Sequence, residues 1–128
     1  MVISLLQTDI SWAEPEENIC KAEQLMTECE DSDLYVLPEM WATGFATKPE
    51  GIAEEEQTSQ ALAWMRQTAA RKHCAISGSL AVRLQDGSYR NRHYFVTPSE
   101  VNFYDKRHLF SHGHEDEHYT RGAHAVIA

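Results

Sequence analysis

The chain has 128 residues, 42% of them hydrophobic, which suffices for one domain with a sizeable core and leaves no stretch of disordered composition. Twenty acidic against eleven basic side chains give a formal charge of -9, which argues against nucleic acid or an anionic membrane surface as the main partner. The three cysteines, Cys20, Cys29 and Cys74, have no CxxC spacing and encode neither a disulfide framework nor a zinc knuckle; with no signal-like N-terminus and no apolar run of spanning length, the expected location is the cytoplasm.

In chain order, Val2 to Gln7 predicts a strand, apolar enough to need cover on both sides. Pro15 suits a first helical turn, and Ile19, Ala22, Leu25, Met26 and Cys29 recur at helical spacing, with Glu14, Glu16 and Glu17 at the positive end. Asp31-Ser32-Asp33 breaks that helix before a second strand, Leu34 to Leu37, where four apolar residues suit burial on both faces. Pro38 then removes the backbone donor that would extend the ladder, so Glu39 should stand at the strand's carboxyl end, the edge where open α/β sheets bind ligands. Met40, Trp41 and Phe45 are expected to wrap Glu39 and leave its carboxylate poorly hydrated, as suits a general base. The same residues also fit a plain surface glutamate.

Thr47 to Gln57 reads as a polar, acidic surface loop near Glu39. Ser59 can cap a second helix in which Ala61, Leu62, Met65 and Ala69 share a face, with Arg66, Arg71 and Lys72 toward its negative end. Cys74 to Leu80 follows as a strand of small residues, implying close packing of something against it. Ala81 to Leu84 and Tyr89 to Val96 flank a hairpin signal at Gln85-Asp86-Gly87-Ser88, and Thr97-Pro98-Ser99-Glu100 turns the chain into Val101 to Tyr104. Strand and helix alternation thus gives way to antiparallel strands, an α/β pattern with a mixed sheet and no linker.

Lys106 again follows a strand end and can share an edge with Glu39, where burial beside a carboxylate would aim its ammonium at an oxyanion. As a bare residue it fits a solvated lysine in a mixed-charge loop better. His108 and His112, or His114 and His118, stand four apart and could share a helix face for a metal. Gly113 interrupts one such helix, no cysteine is near, and histidines in an acidic loop more often bond carboxylates. A histidine-rich metal-binding domain therefore ranks last, and no metal is expected.

Leu37-Pro38-Glu39-Met40 with Thr43-Gly44-Phe45, and Tyr104-Asp105-Lys106-Arg107-His108-Leu109-Phe110, resemble two motifs of the nitrilase or carbon-nitrogen hydrolase superfamily, in the right order and separation. The second motif, followed by His114-Glu115-Asp116-Glu117-His118, is most similar to the omega-amidase branch, which hydrolyses the terminal amide of 2-oxo acid amides. The resemblance implies the N-terminal half of a nitrilase-type α-β-β-α sandwich, with two main helices on one face of a mixed sheet and residues 1–128 forming a single incomplete domain. By it, Glu39 is the general base, Lys106 the oxyanion-stabilising cation, and Glu115 a second, substrate-positioning glutamate, with Glu117 the competing assignment. Trp41, Phe45 and His108 would line the near wall of the pocket, or serve packing.

The chemistry so implied is attack of a cysteine thiolate on an amide, release of ammonia and hydrolysis of the thioester, with a small amide as substrate, no cofactor, and a homodimer when complete. The family's nucleophile lies on a strand beyond the lysine loop, and none of the three cysteines can be carried onto it. Ala123 to Ala128 reads as a strand just beginning, and the 128 residues alone are expected to be inactive. A non-catalytic remnant or interaction module of the same fold is the alternative.

Overall fold

Pro15 occupies the first turn of α1 (Pro15–Glu28) with Glu16 and Glu17 beside it, where acidic charge offsets the exposed amides of the helix start. Ser59 caps α2 (Gln60–Lys72), its hydroxyl oxygen accepting from the Leu62 amide at 3.0 Å, and Arg71 and Lys72 close its negative end. The computed structural model describes residues 1–127, and around these helices it places strands β1 (Ile3–Leu5), β2 (Leu34–Val36), β3 (Glu54–Glu55), β4 (Ala75–Arg83), β5 (Tyr89–Val96) and β6 (Val101–Asp105), then a short helix α3 (Glu115–His118).

The strands form one mixed sheet in the order β1-β2-β4-β5-β6, with the two-residue β3 pairing beside β4. β1, β2 and β4 run parallel, and β5 and β6 return antiparallel. The two long helices lie on one face, where Ala22, Met26, Ala61, Met65 and Ala69 pack on Tyr35, Ile76, Leu80, Val82, Tyr94 and Val96. The small residues of β4 have the consequence expected of them. A Cβ at Gly78 would stand 3.0 Å from both Leu37 and Trp41, so the bare backbone there leaves room for Trp41, which meets Trp64 at 5.2 Å between ring centroids.

Four expectations are corrected. Among the described residues β1 is covered on one side only: side chains alternate along a strand, and Ile3 and Leu5, 48% and 76% exposed, point to the face away from the helices. The break expected at Ala81 is absent, because β4 pairs continuously with β5 from Ile76 opposite Val96 to Arg83 opposite Tyr89. The stretch 47–57 is not all loop, since Glu54 and Glu55 form β3 and Glu56 starts a single 3-10 turn. Residues 123–127 have no regular structure, and Ala128, the end of the expected terminal strand, lies outside the described residues.

Glu56 is held there by a buried cation. Arg92, on the helix-facing side of β5, donates to Asp105 through Nε at 2.6 Å and a terminal nitrogen at 2.9 Å, and its other terminal nitrogen reaches Glu56 at 2.6 Å. Its guanidinium stacks 3.9 Å above the Phe103 ring, and Tyr94 Oη donates to the same Glu56 oxygen at 2.7 Å. Arg92 and Asp105 face each other in the β5–β6 register, so this clamp fixes the strand pair that carries the residues on either side of it. Removing the guanidinium strands two carboxylates in a largely dry setting. Arg92→Ala should cost about 3 kcal/mol, read by urea unfolding of the complete protein; a loss within experimental error would show that the clamp does not hold the pair.

Candidate active site

Two strand ends and one helix converge on the sheet face opposite α1 and α2. After β2, the Leu37 amide continues the ladder by donating to Ser77 O at 2.7 Å, Pro38 ends it, and Glu39 leads into a tight turn. Met40 adopts a left-handed backbone, φ 47°, a conformation that costs a non-glycine residue on the order of 1 kcal/mol. Its amide donates to Ser79 Oγ at 2.9 Å, and its fully buried side chain packs with Ala81 and Tyr119. Gly44, φ 84°, closes the turn by donating to Met40 O at 2.8 Å.

This turn sends successive side chains in different directions, which corrects the expected wrapping of Glu39. Met40 goes to its own small cluster and Trp41 to the core against Trp64, leaving the Glu39 side chain 47% exposed. Trp41 therefore packs and does not line a pocket. Of the three aromatic or imidazole candidates, only Phe45 stays at the site, its ring centroid 5.4 Å from Lys106 Nζ; His108 is solvent-exposed.

Lys106, the first residue after β6, comes to Glu39 across 67 positions of sequence, with Nζ donating to Glu39 Oε1 at 2.8 Å. The same ammonium donates to Glu115 Oε2 at 3.0 Å. Burial by itself would lower the lysine's proton affinity, but the hydrogen bonds and charges of Glu39 and Glu115 outweigh it and raise it above the ordinary value, so Lys106 is an ammonium ion. Glu115 opens α3 and is fully buried; its Oε2 also accepts from the Phe110 amide at 2.7 Å. Glu117, two residues on, is 63% exposed and meets His114 instead. The structure thus brings Glu39, Lys106 and Glu115 together and leaves Glu117 outside.

The fourth member of the group was not anticipated. Asn91, 3% exposed on β5, donates through Nδ2 to Glu39 Oε1 at 2.7 Å and to Glu115 Oε1 at 2.9 Å, and its carbonyl accepts from the Lys106 amide at 2.9 Å. A signal existed, because asparagine is a poor strand residue, and Asn91 and His93 alternate along β5 on the face away from the helices. Glu39, Asn91 and Lys106, with Leu37, Ser79, Tyr104 and His93, line an open cleft of about 240 Å³, and the fully buried Glu115 stands behind it. His93 bonds Ser77 Oγ at 2.7 Å and is held neutral by burial, so it adds no second cation. A larger hollow of about 370 Å³, between α2, Tyr94 and Phe103, belongs to the helix side of the sheet and holds no part of this group.

The histidine pairs do not share helix faces. His112 lies in a 3-10 turn and His114 takes a left-handed backbone between that turn and α3. His114 bonds Glu117 at 2.9 Å and His118 bonds Glu50 at 2.8 Å. Among the described residues, no group of three or more histidine, cysteine, aspartate or glutamate side chains is arranged to hold a metal. Among them also, no helix is long and apolar enough to cross a membrane.

Residues 2–128 match the carbon-nitrogen hydrolase family. The chain is 36% identical over 126 residues to the omega-amidase YafV of Escherichia coli K12, a match spanning 98% of this chain and 48% of that protein. It is 37% identical over 112 residues to the 2-oxoglutaramate amidase of Bacillus subtilis, spanning 84% of this chain and 43% of that one. XC1258 of Xanthomonas campestris, a superfamily protein whose crystal structure carries an arsenic adduct in the active site, superposes with a TM-score of 0.88 at 35% identity, over 97% of this chain and 47% of its own. Nit3 of Saccharomyces cerevisiae shares the fold, with a TM-score of 0.82 at 20% identity over 98% of this chain and 50% of its own. The chain spans about half the length of the curated relatives it matches. By the family match over nearly all its residues, and with a fold shared by solved members, this chain belongs to the carbon-nitrogen hydrolase family.

Proposed function

We propose that this chain supplies the base and the oxyanion cation of an amidase that hydrolyses the terminal amide of 2-oxo acid amides and releases ammonia through a cysteine thioester. The observation that carries the reading is which valences of the polar group are free. Glu39 accepts both its hydrogen bonds on Oε1, and among the described residues Oε2 has no partner. Glu115 is engaged on both oxygens. Lys106 has three N–H donors and gives two of them to the glutamates. One free basic oxygen and one free cationic donor therefore border the same cleft, which supports Glu39 as the general base, Lys106 as the oxyanion partner and Glu115 as the residue that holds Lys106 in place.

In this mechanism a cysteine thiol loses its proton to Glu39 Oε2 and the sulfur attacks the amide carbon. The carbonyl oxygen becomes anionic and takes the third Lys106 donor. Collapse of the tetrahedral species breaks the carbon-nitrogen bond, the nitrogen takes the proton from Glu39 and leaves as ammonia, and a thioester remains. Water then gives its proton to Glu39 and attacks the thioester, and the proton returns to the departing sulfur as the acid is released. Cys20 and Cys29 lie on α1 or its C-cap and Cys74 is buried in the helix-side core, so the nucleophile is read as a cysteine outside these 128 residues. The substrate class follows the relatives named omega-amidase and 2-oxoglutaramate amidase.

The test is ammonia release from 2-oxoglutaramate and related 2-oxo acid amides. The complete protein should turn them over, and residues 1–128 alone should not. Turnover by the short chain would put the nucleophile among Cys20, Cys29 and Cys74 and overturn the assignment.

A further inference from the structure

Asn91 is tied to the polar group by three contacts, none of them made to the cleft itself. Each hydrogen of its carboxamide nitrogen goes to a different carboxylate, Glu39 Oε1 and Glu115 Oε1, and its backbone carbonyl holds the Lys106 amide. The amide's orientation is dictated by chemistry: two carboxylates accept and cannot donate, so the nitrogen, not Oδ1, must face them. Lys106 bridges the same two residues, at Glu39 Oε1 and Glu115 Oε2. Glu39, Lys106, Glu115 and Asn91 thus close a ring in which one link is a neutral amide.

That link has a specific consequence. Glu39 is half-exposed, and a single lysine contact would leave its carboxylate free to rotate about the bond to that contact. A second donor on the same oxygen, arriving from a rigid strand, fixes the plane of the carboxylate and turns Oε2 away from the ring. A neutral donor does this without adding positive charge that would compete with Lys106. We infer that Asn91 is a positioning residue, whose two amide hydrogens pin Glu39 and Glu115 so that Glu39 Oε2 faces the cleft. The inference rests on the proposed role of Glu39.

The experiment compares Asn91→Ala, Asn91→Ser and Asn91→Asp in the complete protein, with Glu39→Gln alongside, by steady-state ammonia release from 2-oxoglutaramate across pH. Asn91→Ala should lower kcat about 100-fold with KM changed less than about three-fold, since orientation and not substrate binding is lost. Asn91→Ser keeps one donor and should recover part of that loss. Asn91→Asp, carrying a third carboxylate into the ring, should move the acid limb of the pH profile of kcat/KM upward by about one unit, a change that simple loosening of the fold does not produce. Folded variants, checked by melting temperature, with wild-type kcat and an unmoved acid limb would overturn the inference. Activity retained by Glu39→Gln would instead overturn the reading of Glu39 on which it rests.

Discussion

Glu39→Gln in the complete protein should lower kcat/KM for amide hydrolysis by about three orders of magnitude while leaving the fold intact. The magnitude follows from the proposed role: a positioned general base contributes roughly 10²- to 10⁴-fold, and in the proposed mechanism one residue serves both thioester formation and its hydrolysis. The isosteric amide can keep its Oε1 toward Asn91 and Lys106, both donors, but it then presents an NH₂ where the free oxygen stood. The cleft keeps its shape and loses its proton acceptor. Because the Glu39 side chain is 47% exposed, its ion pair with Lys106 contributes little to stability, and the variant should unfold within about 1 kcal/mol of the wild type. Steady-state kinetics and urea unfolding on the same preparation separate the two outcomes. A variant as active as the wild type would remove Glu39 from the chemistry, and a variant that is inactive but unfolded would leave Glu39 as a structural residue.

The parts legible in the sequence are those governed by local rules. Pro15 and Ser59 start the two long helices for reasons that operate within one turn, and the spacing of Ala61, Leu62, Met65 and Ala69 gives the buried face of α2 without knowledge of what covers it. Glu39 and Lys106 each stand past a strand end of one sheet, but as bare residues they also fit a surface glutamate and a solvated lysine, and it is the resemblance of their two motifs to a known family that singles them out. What was not legible depends on direction in three dimensions. The left-handed turn at Met40 divides Met40, Trp41 and Phe45 among three environments, so proximity to Glu39 in sequence did not predict contact with it. Asn91 was missed for the converse reason. It lies 52 residues from Glu39 and 24 from Glu115, and only the β4–β5–β6 register carries it between them. Glu56 likewise reads as one more acid in an acidic loop until Arg92 and Tyr94 are placed against it.

Lys106→Met should damage both activity and stability, and its pH dependence shows which charge is at work. Glu115 has no exposed surface; without the ammonium its carboxylate retains only the Asn91 amide and the Phe110 N–H as donors. Removing one partner of a buried ion pair costs about 3–5 kcal/mol, because the other charge is left in a dry site. Removing an oxyanion donor costs a further 10²- to 10³-fold in kcat. The lysine's proton affinity is raised in the folded state, so its contribution is complete below the unfolded lysine's pKa of about 10.4 and is lost only as pH rises through the higher folded value. The stability gap between wild type and Lys106→Met should therefore be flat from about pH 6 to 9 and narrow above about 10.5. A gap that closed near neutrality would assign the effect to another group. Lys106→Arg separates the two roles. A guanidinium keeps the charge that Glu115 requires, and most of the stability should survive. Its planar fork cannot reproduce three tetrahedral donors aimed at Glu39, Glu115 and the cleft at once, so activity should remain near that of Lys106→Met. Full activity in the arginine variant would mean that charge alone, without the third donor, suffices for the reaction.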